Sequence, residues 1–255
     1  MLKLTIILVI TILMLAQVSA KTLTVAVASN FKSTAQKISH QFEQQTGHKI
    51  TLVSGSTGSL FHLIYHGAPY DIFLSADAIR PQKLVAAGLA FPESRFTYAI
   101  GQLAFWSPNN ANIDSNNIVD RLKELDGKLA IANPRLAPYG ESSLGFLKTN
   151  KLLDSVNERL VRGNNITQAL QFVTSGNAQS GFVSYSELLN AGVKSNFFLL
   201  NPNSYSPINQ QAVILKRTQN IEIAKEFMDF INGNACDIIL LSGYALAPSL
   251  DSEQH

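Results

Sequence analysis

Short β-rich runs alternate with amphipathic helical runs along most of this chain, and at four of the handovers the turn is polar yet carries no charge. The runs 22–27, 50–53 and 71–74 read as strands, and 31–46, 59–65 and 81–87 as helices. The first helix carries Ala35, Ile38 and Phe42 at helical spacing and stops at Gly47; the third is closed by Gly88. A second series begins near Leu103, with strands over 128–132, 181–184, 197–200 and 211–215. Helices over 142–149, 166–174, 221–231 and 236–241 complete it. Such alternation constrains the chain to parallel sheets wrapped by helices, with ligands held beyond the carboxyl ends of the strands.

The four turns are Ala28-Ser29-Asn30, Gly55-Ser56-Thr57-Gly58, Ala137-Pro138-Tyr139-Gly140 and Asn164-Asn165-Ile166. A helix N-terminus presents unpaired N–H groups and a partial positive charge. Several of them converging on one cleft hold an anion without lysine or arginine. Oxyanion capture is the chemistry this pattern predicts.

Two stretches, 97–103 and 208–212, combine β character with a position between the two series, and read as paired crossover strands joining two lobes. A hinge of this kind permits closure around a ligand. The expected division is a leader over 1–20, a first lobe over 21–100, a second over 101–207, and a return segment over 208–255 that rejoins the first. The leader has a positive start at Lys3, an apolar run over 4–15 and small residues at Val18-Ser19-Ala20, the pattern of a secretory signal peptide cleaved near Ala20. Its apolar run falls short of the roughly 20 residues of a membrane span.

Taking the first 20 of 255 residues away leaves 235, enough for two lobes, and loss of Lys3 takes the formal charge from +2 to +1. The charges are scattered, with no basic stripe of the kind a nucleic-acid partner requires. Cys236 is the one cysteine, so no intramolecular disulfide forms and no lipid anchor follows the leader. Its apolar neighbours Ile231, Ile238 and Ile239 predict a buried, inert thiol.

Six blocks, in order, resemble periplasmic molybdate-binding proteins over essentially the whole mature chain. They are Val27-Ala28-Ser29-Asn30-Phe31, Ser54-Gly55-Ser56-Thr57-Gly58, the block over 67–77, the block over 95–101, Asn133-Pro134 with Ala137-Pro138-Tyr139-Gly140, and Gln210-Gln211-Ala212-Val213. The resemblance implies an α/β type II periplasmic binding protein fold, two α/β lobes joined by two crossover strands. It also implies a non-catalytic periplasmic receptor that delivers molybdate or tungstate to the membrane permease of an ABC importer, as a monomer, with no cofactor and no nucleic acid. Carried onto this chain, the anion contacts fall on Ser29, Asn30, Ser56 and Thr57 in one lobe and on the backbone N–H groups of Tyr139 and Ile166 in the other. Some family members supply a tyrosine hydroxyl where this chain has Ser184, with Tyr185 one residue late. A one-residue shift on a strand turns the side chain to the other face, so Tyr185 is left out and Ser184 is a weak candidate.

The residues also admit plainer roles. Ser29, Asn30, Ser56 and Thr57, each taken alone, fit ordinary helix caps, and Ile166 fits the core. His62 and His66 lie four apart but lack a third metal ligand. Asp71 and Asp77 bracket a strand and suit caps or salt bridges, and Trp106 suits a hydrophobic anchor. The rival function is an exported hydrolase or transferase using Ser29 or Ser56 as nucleophile, which needs a base and an orienter nearby. An organic carboxylate ligand calls for an arginine fork, which these turns lack. A cage without histidine, lysine or carboxylate predicts affinity that is flat from about pH 6 to 8.

Overall fold

The computed structural model describes residues 20–110 and 118–247. The leader over 1–20, except Ala20, and the C-terminal segment from 248 onward lie outside the described residues. Along the chain run β1 (Thr22–Ala28), a 3-10 turn Ser29–Phe31, α1 (Lys32–Thr46), β2 (Lys49–Gly55), α2 (Thr57–Tyr65), β3 (Ile72–Leu74), α3 (Ile79–Ala86) and β4 (Phe96–Gly101). There follow β5 (Leu103–Trp106), α4 (Ile118–Glu124), β6 (Leu129–Ala132), α5 (Pro138–Thr149), α6 (Leu153–Val156), β7 (Leu160–Gly163) and α7 (Ile166–Thr174). The last are β8 (Ser180–Ser184), α8 (Tyr185–Asn190), β9 (Phe197–Leu199), β10 (Ile208–Ile214), α9 (Ile221–Asn232) and α10 (Cys236–Leu241).

The strands form two five-stranded sheets, ordered β2-β1-β3-β10-β4 and β7-β6-β8-β5-β9. Both are mixed rather than purely parallel. β1 runs parallel to β2 and β3, and β6 parallel to β7 and β8, as βα connections require. The strands that carry the chain between sheets enter against that direction: β10 is antiparallel to β3 and β4, and β5 to β8 and β9.

Side chains of β1 alternate between two cores. Leu23, Val25 and Val27 pack with Phe42 of α1 and Phe227 of α9, while Ala26 packs with Leu60 of α2 and Leu84 of α3. The first sheet is thus covered on both faces, as a parallel sheet must be. The second sheet carries its own core of Phe105, Ile131, Phe146 and Phe182, with Trp106 anchored in it. Gly47 ends α1 in the left-handed region at φ 76°, the conformation that its sequence position predicts.

The crossover stretch 97–103 resolves into two strands, β4 and β5, that belong to different sheets and meet at Gln102. β10 pairs with β4 from Ile208 opposite Gly101 to Ala212 opposite Phe96, with a bulge between Gln210 and Gln211. Ile208 lies in the core of the second sheet and Ile214 in that of the first, so one strand runs from one lobe into the other. Asp71 and Asp77 take the structural roles expected of them. Asp71 accepts from Thr24 N at 2.7 Å and from Thr218 Oγ1 at 2.6 Å, and Asp77 pairs with Arg80. Cys236 departs from expectation: it stands at the first position of α10 and is half-buried, in a surface cavity that Ile231 also lines.

Candidate functional site

In-register pairing of β1 and β2 ends with Ala28 opposite Gly55, so Ser29 and Ser56 leave the sheet side by side. β6 and β7 end likewise, with Ala132 opposite Gly163, and Asn133 N donates to Gly163 O at 2.7 Å just beyond. Two contacts bring these strand ends together across the lobes. The start of α7 packs on the Ser29–Phe31 turn, and Gly58 N in the first turn of α2 donates to Leu136 O at 2.8 Å, two residues before α5. The turns thus meet in pairs across the lobes, the Ser29 turn against the start of α7 and the start of α2 against the turn before α5.

Ser29 is half-buried and lines a cleft cavity of about 280 Å³ with Lys32, Ser54, Asn164, Asn165 and Thr167. Ser56 is the N-cap of α2. Its Oγ accepts from Ser59 N at 3.2 Å and donates to Ser59 Oγ at 2.7 Å. Thr57 Oγ1 accepts from Ala76 N at 3.2 Å, which leaves its hydroxyl proton to donate. Tyr139 and Ile166 stand in the first turns of α5 and α7, where a backbone N–H has no intrahelical carbonyl to bond. Pro138, at the first position of α5, contributes no N–H, so Tyr139 is the first donor of that helix. Asn165 caps α7 by accepting from Gln168 N at 2.9 Å, which engages its side-chain oxygen.

Asn30 is placed differently from expectation. Its Nδ2 donates to Gln210 Oε1 at 2.7 Å and to Tyr244 OH at 3.2 Å, so both amide hydrogens are engaged within the protein. Tyr244 OH returns a bond to Asn30 O at 2.7 Å. The chain of bonds continues through Ser186 Oγ, which donates to Tyr244 OH at 2.7 Å, and Ser184 Oγ, 2.7 Å from Ser186 Oγ. Ser184 Oγ then donates to Tyr139 OH at 3.3 Å. This buried network joins both lobes to the hinge strand β10. Burial raises the phenols of Tyr139 and Tyr244 well above their ordinary range, so both stay protonated. The ring of Tyr139 seats its hydroxyl against Gly101, where a Cβ atom would lie 2.4 Å from it, so the hinge strand tolerates only glycine there.

Tyr185 turns to the other side of β8, with its ring 5.7 Å from that of Phe197. Ser184 stands behind Tyr139 rather than in the cleft. His62 and His66 stack at 4.1 Å between ring centroids, with His66 Nδ1 held 2.8 Å from His62 O, and no group of three metal-ligating side chains occurs among the described residues. Ser56, a nucleophile in the rival reading, is bonded to Ser59 and not to a histidine.

Two charged residues at the cleft went unread in the sequence. Lys32 lines the cavity beside Ser29. Glu187 on α8 is 8% exposed, and Thr167 Oγ1 donates to its Oε1 while Oε2 has no partner among the described residues. Burial pushes this carboxyl up to about 7, against the lowering effect of the Thr167 bond. No sequence signal singles it out: its burial follows from α8 beginning directly at the buried end of β8, so that its first turn stays in the interior.

Fold and cleft define a two-lobed receptor of the bacterial extracellular solute-binding class. The profile of the family described as bacterial extracellular solute-binding protein matches residues 23–242, and the chain belongs to that family. It is 39% identical over 220 residues to the molybdate-binding protein ModA of Rhodobacter capsulatus, spanning 86% of each chain. It is 38% identical over 225 residues to the molybdate-binding protein ModA of Azotobacter vinelandii, covering 87% of this chain and 89% of that one. The solved structure of the periplasmic molybdate-binding protein of Azotobacter vinelandii superposes with a TM-score of 0.83 at 40% identity, over 88% of this chain and 99% of that chain. The sulfate-binding protein SubI of Mycobacterium tuberculosis H37Rv, at 13% identity and a TM-score of 0.72, shares the fold alone.

Proposed function

We propose that this protein is a periplasmic receptor that binds molybdate or tungstate as a tetrahedral dianion between its lobes and delivers it to the membrane permease of an ABC importer. The observation that carries the reading is the meeting of uncharged helix starts across the lobes, the Ser29 turn against α7 and the start of α2 against the turn before α5. The donors we assign are the hydroxyls of Ser29 and Thr57, that of Ser56 once it turns from Ser59 Oγ, and the N–H groups of Ser29, Ser56 and Thr57 in the first lobe, with the N–H groups of Tyr139 and Ile166 in the second. Asn30 holds its turn in place and offers the anion its backbone. The lobes divide as 21–100 with 208–255, and 101–207. The chain acts as a monomer, exported by a signal peptide cleaved near Ala20, and transforms nothing.

Such a cage has few acceptors, so hydrogen phosphate enters it with an unsatisfied O–H, at a cost of about 1 to 3 kcal/mol. A thermal-shift panel of molybdate, tungstate, sulfate, phosphate and chromate tests the assignment. Molybdate and tungstate are expected to raise the melting temperature in a concentration-dependent way, with phosphate without effect. A larger rise with sulfate or phosphate than with molybdate would reassign the ligand, and consumption of any of them would make the protein an enzyme.

A further inference from the structure

We propose that Glu187 is a proton-linked positioning residue of the oxyanion site, so that the receptor captures the dianion with this carboxyl protonated and takes up a proton as it binds. The inference rests on the oxyanion-receptor reading and adds a titrating group to it.

The geometry places the carboxyl directly behind the wall of the cleft. Thr167 lines the cleft cavity opposite Ser29, follows Ile166 in the first turn of α7, and donates its hydroxyl to Glu187 Oε1. Helix α8, which carries Glu187, packs on the Ser29–Phe31 turn that closes the same cavity. Oε2 is buried without a partner among the described residues, which costs far more for an ionised carboxylate than for a neutral acid. Among the described residues no salt bridge compensates it.

The surroundings fix the sign. Neither α7 nor the Ser29–Phe31 turn nor β8 contributes a titratable side chain. Tyr139 of α5 and Tyr244 of the C-terminal turn face Glu187 and stay neutral. The cations nearby are Lys32, exposed at the rim of the cavity, and Lys37 of α1, bonded to Asn190 at 3.4 Å, both on the solvent side. A dianion arriving beyond Thr167 therefore adds negative charge to a site with no internal cation, which favours the protonated carboxyl. The ligand-free carboxyl titrates near 7, within the working range, so binding shifts its occupancy. An ionised Glu187 also holds the Thr167 proton for itself. A neutral one frees that hydroxyl to donate toward the cleft.

Isothermal titration of the mature protein with sodium molybdate from pH 6 to 8.5, in buffers of different ionisation enthalpy, reads the linkage directly. The expected result is uptake of a fraction of a proton, largest above pH 7, with affinity falling at least about threefold over that range, as linkage requires. In Glu187→Gln, proton uptake vanishes and affinity becomes independent of pH. Thr167→Val removes the bond that lowers the carboxyl, so the midpoint of the pH dependence moves upward. Difference infrared spectra at pH 8 add a readout that folding does not mimic: molybdate raises the protonated-carboxyl band in the wild type and not in Glu187→Gln. Molybdate binding without proton uptake in the wild type, or uptake that persists in Glu187→Gln, overturns the proposal while leaving the receptor intact. Absence of molybdate binding at every pH removes the receptor reading itself, and this inference with it.

Discussion

Asn30 has the residue type and the position of an anion ligand, yet both its amide hydrogens are already donated to Gln210 and Tyr244. Its replacement therefore separates two roles that the sequence merges. From the sequence alone, Asn30→Ala and Thr57→Ala are equivalent, each losing a donor to the ligand and sparing the fold. The structure predicts that they differ. Asn30→Ala leaves Gln210 Oε1 with only the 3.4 Å bond from Tyr98 OH and is expected to lower the stability of the ligand-free protein by about 1 to 3 kcal/mol. Thr57→Ala, whose hydroxyl proton is spare, is expected to weaken molybdate binding by a similar amount, and it also costs stability because Ala76 N loses its acceptor. Titration calorimetry, with chemical denaturation to confirm folding, distinguishes the two: Asn30→Ala is expected to keep more of its molybdate affinity than Thr57→Ala, and equal affinity losses would return Asn30 to the role of a plain ligand. The reason the sequence misleads is that Gln210 and Tyr244 lie 180 and 214 residues away. A turn motif states which donors are present; which of them are spoken for depends on what the fold packs behind it. Glu187 is hidden for the same reason, since Ser-Glu-Leu-Leu reads as an ordinary solvent-facing first turn until α8 is seen to start inside the protein.

Helix starts carry the second-lobe half of the site, and here the sequence is more transparent. α7 spans Ile166–Thr174 as its periodicity predicts, and Pro138 marks the start of α5, four residues earlier than apolar spacing alone places it. The strand β7 and the helices α4, α6 and α8 are not evident in the sequence, because each is short and its apolar residues follow no sustained period. What a backbone donor does is testable by removing the N–H and keeping the helix. Proline is accepted at the first helical position, and Asn165 before it is extended at φ −147°, ψ 177°, the conformation a following proline demands. Ile166→Pro is therefore expected to retain α7 and to lose affinity by about 1 to 3 kcal/mol relative to Ile166→Ala, which loses the same packing but keeps the N–H. Calorimetry of the two variants compares them, and equal affinities would take the Ile166 amide out of the site.

The two lobes meet through contacts that an open form cannot keep. Gly58 N reaches Leu136 O at 2.8 Å, Arg80 Nη2 reaches Arg135 O at 3.2 Å, and Ser186 Oγ lies 3.4 Å from Asn30 O. The chain passes between lobes at Gln102 and along β10, so relative motion is confined to two adjacent strands. A ligand drives such a motion only by the difference in its affinity for the two forms. That difference is large when donors sit on both sides of the cleft, as Thr57 and the Ile166 amide do. Closure also removes water, and each hydrogen bond to the anion gains from the lower local dielectric. Small-angle scattering is accordingly expected to show a smaller radius of gyration with saturating molybdate than without it. Gly58 supplies the control, because a Cβ atom there would lie 3.0 Å from Leu136 Cα and from its carbonyl oxygen. Gly58→Ala thus opposes the closed form without touching the core of either lobe. It is expected to leave melting of the empty protein nearly unchanged, to weaken molybdate binding, and to blunt the ligand-induced contraction. Identical dimensions with and without ligand in the wild type would mean that the anion enters a cleft already shut, and its recognition would then owe nothing to the hinge.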